Sequence, residues 1–145
     1  MTTLEKGVHY TKDEVLYLEN GKLKLGINLS VGGSIFHLSS NIGPNVLNHY
    51  DRGRGIQQSY YGRKDGTMWM NRHWVWHPVQ GGHYKGGSPK VLELKKSSGA
   101  VYVKSIPVHW ASGEFLENSI MEQWIVLKAK LVHIRYRFTY NGDDD

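Results

Sequence analysis

Cysteine is absent from all 145 residues. That excludes disulfides, thiolate metal sites and thiol nucleophiles. No apolar run approaches the ~20 residues of a membrane-spanning helix, so no membrane partner is expected. The opening MTTLEKGVHY lacks the apolar core of a secretory leader. The compartment stays open between cytoplasm and export with a leader already removed. Also missing are a GxSxG elbow, a phosphate-binding loop, a dinucleotide fingerprint, HExxH and an EF-hand loop. No cofactor is therefore expected. No amphipathic pattern exceeds about two helical turns, and no internal repeat is present.

What is present points to a turn-rich β protein. Glycine occurs 17 times and aromatics make up 12% of the chain. Hydrophobic residues at 39% and charged residues at 21% fit neither a disordered chain nor a coiled coil. The length suits one domain over residues 1–145 with a core of its own. A net charge of +5 and a pI near 9.4 favour anionic partners. Lysine and arginine are spread along the chain, so a dedicated nucleic-acid surface is not expected.

Period-two patterns place the strands. Residues 1–14 read as a loose polar arm. A strand at 15–18 leads into Asn20-Gly21, expected as a type I′ turn. In residues 22–29, Leu23, Leu25, Ile27 and Leu29 alternate with polar residues and should face the core. Gly32 and Gly33 follow Val31 in a tight turn, and residues 34–38 resume as a strand. Long loops are expected between residues 40 and 88, with a strand at 56–61 and one short strand in 67–87. Strands follow at 91–95, 100–110, 119–127 and 131–140. Pro107 demands an edge position or a bulge in the second of these. The last alternates Val132, Ile134, Tyr136, Phe138 and Tyr140 with His133, Arg135, Arg137 and Thr139. Short turns at this spacing predict an all-β antiparallel β-sandwich. The chain ends abruptly after a strand, as a fragment of a longer protein would.

Residues 45–87 carry the candidate chemistry. Trp69, Trp74, Trp76, Tyr60, Tyr61 and Tyr84 lie there among glycines and planar hydrogen-bonding groups. A sugar ring offers an apolar C–H face to such rings, while its hydroxyls need donors and acceptors. Asn48, Asp51, Arg52, Arg54, Gln57, Gln58 and Gln80 can supply them. The expected ligand site is Asn48, Asp51, Arg52, Arg54, Gln57, Gln58, Tyr61, Trp74, Trp76, Gln80 and Tyr84. The alternative is that the tryptophans fill a core and that Asp51 pairs with an arginine to hold a turn. His73, His77 and His83 match no metal template, since four residues of strand span ~13 Å, so no metal is expected. His77, His83 and Glu122 are the weaker candidates for acid–base work. Glu122 either has a raised pKa near a cleft or points to solvent. His109 is a lesser case still.

Several phrases are similar to a known group taken together. They are residues 48–54 (NHYDRGR), 56–61 (IQQSYY), 76–82 (WHPVQGG) and 121–124 (MEQW). They resemble the galactose mutarotase-like superfamily, in an uncharacterised bacterial subgroup. That resemblance implies a β-supersandwich, of which this chain would be the N-terminal part, and a carbohydrate context. The chain departs from the pattern at His77, where Asn is expected, and at His83, where Asp is expected. The mutarotase histidine acid and glutamate base match no position by motif.

The leading expectation is binding of a polysaccharide or oligosaccharide. The alternative is a sugar-acting enzyme of epimerase or polysaccharide lyase type using His/Glu acid–base chemistry. A third reading is a self-assembling structural protein, a homo-oligomer joined through strand edges.

Overall fold

A computed structural model describes residues 2–4, 8–9, 14–48, 50–60, 68–69, 72–73, 78–79 and 81–142. The chain is an all-β antiparallel sandwich, as its periodicity predicts. No α-helix occurs among the described residues. The strands are β1 (Thr2–Leu4), β2 (Val8–His9), β3 (Val15–Glu19), β4 (Leu23–Asn28), β5 (Ser34–Ser40), β6 (Met68–Trp69), β7 (Arg72–His73) and β8 (Pro78–Val79). They continue as β9 (Lys90–Lys96), β10 (Ala100–Ile106), β11 (Val108–His109), β12 (Ser119–Lys128) and β13 (Leu131–Tyr140).

The larger sheet has the order β1-β9-β10-β12-β13, with β2 also on β9. The smaller has the order β3-β4-β5. Two-stranded ribbons pair β11 with β8 and β6 with β7. The core forms because alternate residues of both sheets are apolar. Leu18, Leu25, Ile27 and Ile35 of one sheet close on Val91, Leu94, Val101, Val103 and Ile125 of the other. Each such side chain contributes about 1.5–3 kcal/mol when fully buried.

Several local expectations are corrected. The opening residues are not a loose arm, because β1 and β2 lie in turn along one edge of β9. In the β3–β4 turn the positive φ falls on Gly21 alone, at 78°. Asn20 instead lends its Oδ1 to the amides of Lys22 and Leu23, at 3.1 and 3.0 Å. Strand β4 stops at Asn28, whose Oδ1 accepts from Ser30 N at 3.0 Å and caps a 3-10 turn over Leu29–Val31. Residues 56–60 form no continuous strand. Ile56 makes an isolated bridge with Ile35. Three two-residue strands, not one, occur within 67–87. Pro107 ends β10, and the chain leaves the large sheet to pair with β8. The irregularity in β10 lies earlier, between Lys104 and Ser105.

Gly33 shows why the sheets meet where they do. Its φ is 88°, and an added Cβ would come within 2.9 Å of Val103 Cγ2. Its carbonyl accepts a hydrogen bond from the buried Gln123 side chain. Gly33→Ala should therefore cost more than about 1 kcal/mol, through both strain and displacement of Gln123. Urea denaturation of the two proteins measures it, and equal midpoints would refute this account.

Candidate functional site

Three turns meet at one end of the sandwich, around Trp110. The turn at 50–54 lies against the indole because Gly53 has no side chain; a Cβ there would sit 3.1 Å from Trp110 Cη2. The turn at 81–87 is tied on by Tyr84 N, which donates to Trp110 O at 3.1 Å. His83 Nε2 donates to Ala111 O at 3.2 Å and fixes the same turn to residues 109–113. The ring of Tyr84 packs beside those of His83 and Trp110, at 4.9 and 6.3 Å between centroids.

Arg52 holds this junction from inside. One Nη donates to Ser30 O at 2.7 Å and Ser88 Oγ at 3.0 Å, while Nε donates to Gly81 O at 3.3 Å. A planar fork suits three acceptors on two segments distant in sequence. Gly81 must lack a Cβ, since one would collide with Arg52 O and Gln57 Oε1. Gln57 completes the inner layer. Its Nε2 donates to Arg52 O at 3.3 Å and its Oε1 accepts from Ser34 Oγ at 3.3 Å.

The expected ligand groups thus divide. Arg52, Gln57 and Gln58 are committed to the scaffold, Gln58 donating to Glu122 O at 3.0 Å. Asn48 Oδ1 accepts from Tyr50 N at 3.1 Å and shapes its own turn. Asp51 Oδ1 caps Gly53 N at 2.9 Å, and its Oδ2 pairs with Arg54 at 3.2 Å, a turn-holding ion pair at the surface. Facing outward at this end are Tyr50, Asp51, Arg54, Tyr84 and Lys85. Tyr50 is 87% exposed and Tyr84 37%. Arg54 lies 6.0 Å over the Tyr50 ring, and Lys85 5.6 Å over Tyr84. Tyr50, Lys85 and Trp110 were not expected at the site. Their signal was adjacency to the Asp-Arg-Gly-Arg turn and to Tyr84. Tyr61, Trp74, Trp76, His77 and Gln80 lie outside the described residues.

No group of His, Asp and Glu among the described residues could hold a metal ion. His109 is buried, and its Nδ1 accepts from Ala111 N and Ser112 N at 3.2 and 3.0 Å. It is a turn cap, with its proton on Nε2.

Glu122 lies on the outer face of the large sheet, where register brings together residues far apart in sequence. It stands opposite Lys104 of β10 and Arg137 of β13. Only 4% of it is exposed. Arg137 grips both carboxylate oxygens at 2.6 and 2.8 Å, and the Tyr102 hydroxyl donates to it at 2.6 Å. The expected rise in pKa does not occur. The Arg137 hydrogen bonds hold the Glu122 carboxyl below the ordinary range, against burial, with the Tyr102 bond assisting. Burial, then the bond to Glu122, pushes the Tyr102 phenol well above its usual value. A carboxylate so satisfied stays ionised and is a poor proton donor. Trp124 packs beside Tyr102 at 5.0 Å, with Arg135 stacked 4.3 Å over its indole. This cluster of Tyr102, Trp124, Arg135 and Arg137 was missed from the sequence. It was legible only with the β12–β13 register in hand.

No known protein family, curated protein or solved structure matches this chain.

Two outcomes follow. Arg52→Lys should lower stability by about 1–3 kcal/mol, since one ammonium cannot reproduce the fork that serves Ser30 O, Gly81 O and Ser88 Oγ together. An unchanged urea midpoint would contradict the clamp. For Glu122 the folded pKa lies below the unfolded one. Its contribution is therefore full above the unfolded value of about 4.3 and is lost as pH falls through the folded value. Glu122→Gln should be less stable than the parent at pH 7. The gap should narrow as pH falls below about 4. Thermal melts across that range measure it, and a gap independent of pH would count against the pairing.

Proposed function

We propose that the protein binds carbohydrate through the end of the sandwich built around Trp110. The observation that carries this is the pair of exposed tyrosine rings, Tyr50 and Tyr84. Each has a cationic side chain over it, on turns fixed by Arg52 and by Trp110. Rings of this kind stack against the C–H face of a sugar. Arg54, Asp51 and Lys85 beside them supply donors and acceptors for hydroxyls. Tyrosine gives large contact area at low conformational cost, and a rigid mount keeps that cost low. The resemblance to the galactose mutarotase-like superfamily supports the same ligand class.

Binding without turnover is favoured over a sugar-acting enzyme. Among the described candidates His83 and Glu122 are each bound to scaffold partners, and they lie on different parts of the fold. Tyr50→Ala and Tyr84→Ala should each weaken glycan binding about tenfold, the loss expected of one stacked ring at about 1.4 kcal/mol. Stability should change by less than about 0.5 kcal/mol for Tyr50, which is almost fully exposed, and by about 1 kcal/mol for Tyr84, which also packs on His83 and Trp110. A glycan array with the parent protein, followed by calorimetry on the best sugar, tests this. Absence of binding to every glycan by a folded protein would reject it.

A further inference from the structure

The large sheet ends at β13, and no described strand other than β12 pairs with it. The outer sides of β9 and β5 are covered, which leaves β13 and the shorter β3 as sheet edges with one described partner strand each. Strands β1 and β2 lie along β9. Strand β5 is covered by Asn45, whose side chain donates to Phe36 O at 2.8 Å and accepts from Leu38 N at 3.0 Å. Val46 N donates to Leu38 O at 2.9 Å, and Ile56 bridges Ile35. Strand β13 thus presents a row of backbone groups over residues 131–139 that no described strand other than β12 engages.

Its two faces differ in chemistry. On the inward face, Tyr136 and Phe138 remain 39% and 41% exposed. The same row continues through Val132 and Ile134 into an open apolar cleft of about 460 Å³ between β13 and the small sheet, with Leu23 and Leu38 opposite. On the outward face stand His133, Arg135 and Arg137. Arg137 is engaged by Glu122. Arg135 stacks on Trp124 and pairs with no carboxylate among the described residues.

We propose that β13 is the docking edge for an extended segment of another polypeptide in which apolar residues alternate with Asp or Glu. A strand added there gains main-chain hydrogen bonds, as in β-augmentation. Its apolar residues would lie over Tyr136, Phe138 and the cleft. Its acidic residues would stand beside Arg135 and His133, on a chain whose net charge is +5. A second copy fits poorly. Antiparallel pairing of β13 with itself, in the two near-complete registers that keep each face on its own side, sets Arg135 against Arg135 or Arg137, and like charges directly opposite are destabilising.

The test uses synthetic peptides as long as β13, 10 residues, titrated against the whole chain. One alternates Val with Glu, one alternates Val with Lys, and one carries the Val/Glu composition in two blocks. The Val/Glu alternation should bind saturably and slow hydrogen exchange at the β13 amides that point away from β12. The lysine and block peptides should not. Arg135→Glu, at an exposed position, should weaken the acidic peptide about tenfold and admit the lysine one. Tyr136→Lys should weaken the acidic peptide too, by removing the apolar contact. Equal binding of acidic and basic peptides, or binding of none, overturns the proposal. So do edge-facing β13 amides, those pointing away from β12, that are already protected in the free monomer, or dimers in which those amides become protected.

Discussion

The guanidinium of Arg52 is the interaction on which the candidate site depends. It reaches the 3-10 turn after β4, the turn before β9 and Ser88 from a single point. The first of these is distant in sequence from the other two, which both lie in the stretch before β9. Without a shared donor their carbonyls would need water inside the junction, and the exposed rings would lose their fixed spacing. The fork geometry of arginine, not its charge, is what this position requires. Glycine at position 81 is the complement, since the carbonyl can approach only where no side chain stands in the way.

The outer face of the large sheet repeats the theme with a different purpose. Glu122 is covered by residues from neighbouring strands and carries its charge only because Arg137 and Tyr102 satisfy it. A buried carboxylate with both oxygens engaged specifies register more than it adds stability. A slip of one residue between β12 and β13 would put Glu122 opposite an apolar ring and turn Arg137 inward.

Much of the architecture was legible in the sequence, because strands announce themselves by alternation. Residues 22–29 and 131–140 alternate cleanly; the first holds β4 over Leu23–Asn28 and the second is a strand throughout. The opening residues were misread because an edge strand needs only a partner's backbone, and β9 lies some ninety residues away. The site was harder. Asp51, Arg52, Gln57 and Gln58 have the chemistry of sugar ligands, but the same donors serve equally well inside a junction. Which role they take depends on what lies behind them, and composition carries no such information. The Trp124–Arg135 stack hinged on turn length. A turn of three residues, 128–130, misaligns the strands, whereas the actual turn of Ala129 and Lys130 sets Trp124 opposite Arg135. Ala129 accepts a positive φ of 53° to make it.

That same alanine gives the turn a second part. Its carbonyl accepts from Asn20 Nδ2 at 2.7 Å, across a separation of 109 residues. The tips of two hairpins, one from each sheet, are latched together there. Each hairpin can form from local contacts alone, on a microsecond scale. The latch cannot, because most of the chain must first be threaded between its halves. The latch therefore closes only once both hairpins are in place. A nascent chain emerging in order would hold the first hairpin with its partner surface still unmade until the last strands arrive.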